Sequence, residues 1–505
     1  MNNTFFYFLF RKTTSRWLLI SALTILIVEF LVFEYFYPFP DFSSDSYNYI
    51  YAATANLDIS LRPIGYSKFL QALHVITTSD TALVSFQYAI VQTAALWYYF
   101  SILYFYKPGK AIRIFLFVFL FINPLFLYAA NYVDNRSVFI ALSLAWLTHL
   151  IWILNRPKSP QVFLHALLLF LCFTVSEIAW YYPVVAILAF ILSRQSIRIK
   201  LVGIALPAAM ILAFIIHTRQ IAKEMTGAAQ FSLSAGWRLA NNALYMYGHI
   251  QVDSNQSPSA QIHEINRLSR QFYDKAPHDI NSYLAASGGD FFIREPRSPL
   301  NQYFDQQAGI ATEYDRMVAW GRYSAIYETY GTWLIRKYPL SFIRYFLLPN
   351  TISYILPDPG KSGVYNRGEG EVSPPVQDWF NYKLPNVEAT FNTLQGNLLS
   401  IFAYVFFFSD ILFCGCVAWF LTKRRQITVN RSLSSVILLA VSFLILNFLS
   451  SICFSVGGLW EQAVPLTISI VSSMLIIDYF EKYPIYKQQN SVNHETNIVI
   501  GFANE

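Results

Sequence analysis

The chain has 505 residues, of which 55% are hydrophobic and 18% aromatic while only 13% are charged, and its net charge is +6. That balance excludes a string of soluble domains and offers no basic face for nucleic acid; it is the composition of an all-α polytopic membrane protein. The four cysteines, Cys172, Cys414, Cys416 and Cys453, all fall in apolar runs, where they read as buried small hydrophobes and not as a disulfide or metal framework.

In chain order, a first span is predicted over 17–37, behind the basic head RKTTSR and without a cleavage-site pattern, so it reads as a retained anchor. Basic residues favour the cytoplasmic side, which puts the following loop, 39–79, outside. Further spans are predicted at 80–105, 112–128, 136–154, 162–177, 180–193 and 199–217. The turns KPGKAIR, NRPKSP and SRQSIRIK are basic and alternate with turns near Asn131 and Glu177, which then face outward. These seven spans make an N-terminal transmembrane module, 1–217.

Residues 218–396 are too polar for lipid and read as a mostly helical external domain. Helical spacing is visible around GWRLANNALYMYGHI and over 310–333, with a loop at 296–299. The apolar run 338–357 is interrupted by Arg344, Pro349 and Asn350, and reads as an interfacial or re-entrant helix. Three closing spans, 397–420, 433–455 and 463–480, form a C-terminal module, 397–486, and return a cytoplasmic tail, 487–505. The total is about ten spans, with no tandem repeat.

The candidate chemistry gathers on the outward side. Asp45 stands four residues before Tyr49, on one helical face, as a carboxylate that would accept or orient a substrate hydroxyl; the same SSDS sequence is also capping language. Asp41, between prolines and that helix, reads first as a turn former and second as a base. In RPIGY, Arg62 would pair an aspartate or grip a phosphate, and Tyr66 closes the element. Asp134 and Glu177 occupy the next two outward turns, where each would line a site or cap a span. Arg344 would hold a lipid phosphate or snorkel to headgroups. Trp460 and Glu461, ahead of the last span, would line the same cavity or cap a helix. The isolated HEINR lacks a second zinc-binding histidine, and there is no phosphate-binding lysine loop and no GxSxG elbow. No cofactor is specified; a divalent cation on aspartates is compatible with the residues, but their spacing does not demand one.

The order of these features resembles the multi-span GT-C glycosyltransferases, the superfamily that includes protein mannosyltransferases and the lipid A aminoarabinose transferase. It rests on Asp45 with Tyr49 in the first external loop, RPIGY at 62–66, Asp134 after NPLFLYAANYV, the RYFLLPN run, and a last span that starts shortly before Pro465. It departs from some relatives in having Asp45-Ser46 for an acidic pair and Leu459-Trp460 for an aromatic-basic pair. The resemblance implies a bacterial inner-membrane enzyme with its site facing the periplasm or exterior. Such an enzyme moves a sugar from a polyprenyl-phosphate donor to a glycan, lipid or protein acceptor, with inversion. Asp45 would act on the acceptor, Asp134 would assist, and Arg62 or Arg344 would hold the donor phosphate. Two other readings stand beside it. A surface-polysaccharide polymerase or ligase would rely on arginines and a histidine of the external domain. A transporter or flippase would want mid-membrane ionisable groups and inverted repeats, neither of which is expected here.

Overall fold

The computed structural model describes residues 4–253, 257–275, 289–357, 360–423, 430–454 and 458–483; the predicted tail 487–505 lies outside them. The described residues are mainly helical, with two isolated β-bridges. Its main helices are α1 (Phe5–Phe10), α2 (Thr13–Phe36), α3 (Ser44–Thr54), α4 (Gly65–His74), α5 (Asp80–Tyr106), α6 (Lys110–Phe121), α7 (Pro124–Asn131), α8 (Arg136–Asn155), α9 (Gln161–Val175) and α10 (Tyr182–Leu192). They continue as α11 (Ile197–Thr226), α12 (Ala235–Leu244), α13 (Ala260–Asp274), α14 (Pro299–Gln307), α15 (Glu313–Lys337), α16 (Leu348–Ile355), α17 (Pro374–Phe380), α18 (Asn392–Lys423), α19 (Arg431–Phe454) and α20 (Ala463–Lys482).

Among the described residues, seven helical segments are long and apolar enough to cross a membrane: α2, α6 with α7, α8, α11, α18, α19 and α20. Helices also stand at the other three predicted positions. There α5 is long but rich in Gln and Tyr, and α9 and α10 are short, so they do not qualify on apolar length alone. The protein is therefore a multi-span helical membrane protein with extensive helical regions outside the membrane.

Contacts sort the turns to two ends of the bundle. At one end Phe5 packs on Tyr104 and Trp152, Asn155 and Tyr106 meet Ser432, and the Gly109 N–H donates to Asp478. At the other, Asp41 pairs with the 131–133 backbone, Asn135 donates to the Val175 carbonyl, and Thr390 N–H donates to the Phe36 carbonyl. The turns at Lys107 and Arg156 thus share one end of the bundle, and the turns near Asp41, Asn131 and Val175 share another.

Two expectations need correcting. Carboxylates do lie within spans: Glu29, which accepts from Tyr88, sits in α2, and Asp410 lies near the middle of α18. Isolated carboxylates carry too little hydropathy weight to break a long apolar window. Of the cysteines, all free, Cys172 and Cys416 are buried but Cys414 and Cys453 are exposed on the outside of the bundle; in a lipid solvent an apolar run has no obligation to face inward.

Outside the bundle, α12 to α15 enclose a second apolar core around Trp237, Leu300, Tyr327 and Tyr330, with Trp237 stacked on Trp320 at 3.7 Å. The segment carrying Tyr365, Val376 and Trp379 packs instead into the core of the membrane bundle. Between the two, residues 339–355 form a helix broken by a wider π-helical turn at Ile343–Leu347. Pro349 accounts for the break, because it has no N–H to continue the helical ladder. Leu340, Ile343, Leu348, Ile352 and Leu356 are exposed, whereas Phe346, Asn350 and Tyr354 are buried. Exposed apolar side chains, with Arg344 exposed among them, face out, and one side packs inward.

Candidate active site

The site begins with a capped helix. Ser43 and Ser46 form a reciprocal capping box that starts α3 and places Asp45 in its first turn. The capping expectation for SSDS is met by the serines, so Asp45 is not consumed by it. Arg62 reaches Asp45 from the loop before α4, with Nε at 3.0 Å and Nη2 at 2.8 Å, both on Oδ1. Oδ2 takes no hydrogen bond from the described residues, and 34% of the Asp45 side chain is exposed, so this oxygen is open to a ligand. Burial works against the charged carboxylate, but the charge and hydrogen bonds of Arg62 outweigh it and hold Asp45 below the ordinary range.

RPIGY owes its position to a close helix crossing. A Cβ at Gly65 would lie 2.6 Å from the Thr174 carbonyl oxygen, so only glycine lets α4 meet the end of α9 this tightly. Tyr66 is fully buried and donates to Gln87, whose amide in turn donates to the carbonyls of Ala130 and Tyr132. Tyr49, also buried, packs edge-on against Tyr66 at 5.0 Å. The two tyrosines form the inner wall behind Asp45 and Arg62.

The turn at 131–136 is tied to the one that precedes α3. A parallel bridge pairs Asp41 with Tyr132, and Ser43 Oγ donates to Asp134 Oδ2 at 3.1 Å. Asp134 accepts from the Arg136 backbone N–H and faces the Arg136 guanidinium at 3.3 Å. It is 2% exposed, and burial raises its carboxyl despite the opposing Arg136. Asp41 is 1% exposed and acts as a latch: it accepts from the Asn366 N–H and from Gln395 Nε2. Burial pushes its carboxyl up to about 6. Of its two sequence readings, turn former and base, this geometry serves the first.

Glu177 pairs with Arg238 and accepts from Ser232 at 3.0 Å, linking the turn after α9 to α12. Burial opposes its charge, but Arg238 and Arg62 hold its carboxyl below the ordinary range. On the fourth side, Arg136 lies 3.9 Å from the Tyr132 ring and 5.1 Å from the Trp460 ring. Glu461 follows Trp460 and feels both Arg136 and Asp134 electrostatically; burial raises its carboxyl. Arg136 Nη1, Trp460 Nε1 and Glu461 Oε2 are buried polar atoms with no hydrogen-bond partner among the described residues. Such atoms are costly to leave unfilled unless a ligand or water completes them.

Asp45, Tyr49, Arg62, Tyr66, Asp134, Glu177, Trp460 and Glu461 therefore gather at one end of the bundle. Arg344 is exposed on the 339–355 helical segment, over the Tyr345 ring at 5.4 Å, and no contact joins it to this group. Sequence reasoning missed Arg136, Arg238 and the Asp290–Arg294 pair as parts of the group; Arg294 adds to the positive field at Asp45, and Asp290 to the negative field at Glu461. Arg136 had a signal in DNR, next to Asp134; Arg238 and Arg294 are ordinary charges in the external domain until the fold brings them in. Among the described residues no three His, Cys, Asp or Glu side chains group as metal ligands. Asp45 and Asp134 each face an arginine, which leaves Asp45 Oδ2 as the open oxygen of the pair.

No family model, curated protein or solved structure matches this chain.

Proposed function

We propose that this protein is a membrane glycosyltransferase that moves a sugar from a polyprenyl-phosphate-linked donor to a cell-envelope acceptor at the non-cytoplasmic face of a bacterial inner membrane. The observation that carries the reading is the one-sided grip of Arg62 on Asp45, which keeps the carboxylate ionised while leaving Oδ2 open to an acceptor hydroxyl. Asp45 Oδ2 accepts that hydroxyl's hydrogen bond and takes its proton as the oxygen attacks the anomeric carbon. The bond from that carbon to the phosphate oxygen breaks on the opposite side, giving inversion. Phosphate leaves without needing an acid, so one accessible carboxylate suffices.

Arg136 is better placed than Arg62 to receive the leaving phosphate. Arg62 is committed to Asp45, whereas Arg136 has an unfilled Nη1 beside Trp460. Asp134, almost wholly buried, positions Arg136 and touches no substrate. Trp460 and Glu461 offer a ring face and an acceptor oxygen to a sugar.

The test is transfer from a radiolabelled polyprenyl-phosphate sugar to envelope acceptors by the purified chain in liposomes. Asp45→Asn should insert and fold as the parent does and lose transfer; full turnover in that variant would sink the assignment.

A further inference from the structure

We propose that the C-terminal end of α15 carries a binding site for the headgroup of an anionic phospholipid, separate from the site built on Asp45. An open cavity of about 610 Å³ lies along this helix, lined by Thr329, Thr332, Trp333, Arg336 and Lys337, with Glu328 and Pro258 among its other walls. The Lys337 ammonium nitrogen is buried and has no hydrogen-bond partner among the described residues. It sits over the rings of Trp333 and Tyr338, 5.3 and 5.6 Å from their centroids.

Ring faces attract a cation but fill none of its N–H donors, so a desolvated ammonium held this way still wants an anion. Arg336, exposed on the same turn and lining the same cavity, adds a second positive charge. The helix dipole explains why two cations close α15. It supplies no acceptor for Lys337. Glu328 stands nine residues back, about 13 Å of rise along the helix axis, and forms no ion pair with Lys337.

The neighbouring chain says which anion. Three residues after Lys337, Leu340 is 79% exposed, and exposed apolar side chains continue at Ile343, Leu348, Ile352 and Leu356, with Arg344 exposed among them. Those apolar side chains belong among acyl chains, so the cavity before them opens at the height of lipid phosphates. Trp333 and Tyr338 are the ring types that favour this layer. A phosphodiester held by Lys337 and Arg336 would leave its lipid tails along the exposed apolar side chains, which a soluble anion could not use.

The experiment is thermal unfolding of the full chain in detergent with added phosphatidylglycerol, phosphatidylcholine, inorganic phosphate or glucuronate, for the parent and for the double variant R336Q/K337Q. Phosphatidylglycerol is expected to raise the parent's Tm by several degrees, with the other three additives well below it, and the double variant is expected to lose that increment. Native mass spectrometry supplies a second readout on the milder K337Q, which should lose retained phosphatidylglycerol. A full increment or full lipid retention in the variants would overturn the site. Protection by phosphate or glucuronate equal to that by phosphatidylglycerol would overturn the lipid assignment in favour of a soluble anion or an acidic saccharide.

Discussion

Arg62 places both Nε and Nη2 on a single oxygen of Asp45, at 3.0 and 2.8 Å. A side-by-side pair would have occupied both carboxylate oxygens and closed the site. This geometry gives the pair two separable duties, charge control at Oδ1 and substrate contact at Oδ2.

The first duty is testable by pH. Arg62 holds the Asp45 carboxyl below the ordinary range, and the reactive form is the carboxylate, so parent activity should persist well into acid. In Arg62→Gln the burial that raises the pKa is no longer opposed by that charge. The acid limb of the activity profile should move upward. An unmoved limb would mean that Asp45 ionisation does not govern turnover.

Gly65→Ala should destabilise the fold by about 1–3 kcal/mol, because the added Cβ would sit 2.6 Å from a backbone oxygen that cannot swing away. Denaturation in detergent would measure it. The loss should be accompanied by reduced activity, since the same crossing carries Arg62 toward Asp45.

Asp41 gives a pH dependence of opposite sign to the paired carboxylates. Its folded pKa, about 6, lies above the unfolded value, so the unfolded chain releases this proton first and stability falls as pH rises from about 4 to about 6. The loss is on the order of 2–3 kcal/mol over that window. Asp41→Asn should flatten the corresponding segment of a plot of Tm against pH; an unchanged slope would show that Asp41 is not the titrating group.

Glu177 and Arg238 join the bundle to the external helical region, each with about a quarter of its side chain exposed. A double-mutant cycle with Glu177→Gln and Arg238→Gln should return a coupling of about 1–3 kcal/mol in unfolding experiments. Glu177 is held below the ordinary carboxylate range, so its contribution is present above the unfolded pKa and is lost as pH falls through the folded one. A coupling near zero would mean that the contact is a passive neighbour.

Much of this architecture can be read from periodicity and charge. The helix predicted over 310–333 is found at Glu313–Lys337, and the first span, predicted over 17–37, at Thr13–Phe36. Alternating apolar runs and basic turns are local signals, and hydropathy reports them directly. Asp45 and Arg62 were legible as candidates because seventeen residues of one loop separate them. The contacts that complete the site were not. Arg136 meets Trp460 across more than three hundred residues, and Gln395 reaches back to Asp41 from the start of α18. No periodicity marks such pairings, because they are made only when distant turns arrive at the same end of the bundle. Asp41 and Asp134 also show why residue type alone misleads: both are aspartates in turns at the same end of the bundle, yet burial turns one into a latch and the other into a support for Arg136.

The most direct test of the central claim is single-turnover transfer by the liposome-reconstituted chain, comparing the parent with Asp45→Asn at equal insertion and equal Tm. The account predicts that the variant binds the polyprenyl-phosphate sugar and transfers at no more than about one hundredth of the parent rate, the scale of a lost positioned base. Transfer at the parent rate would contradict it.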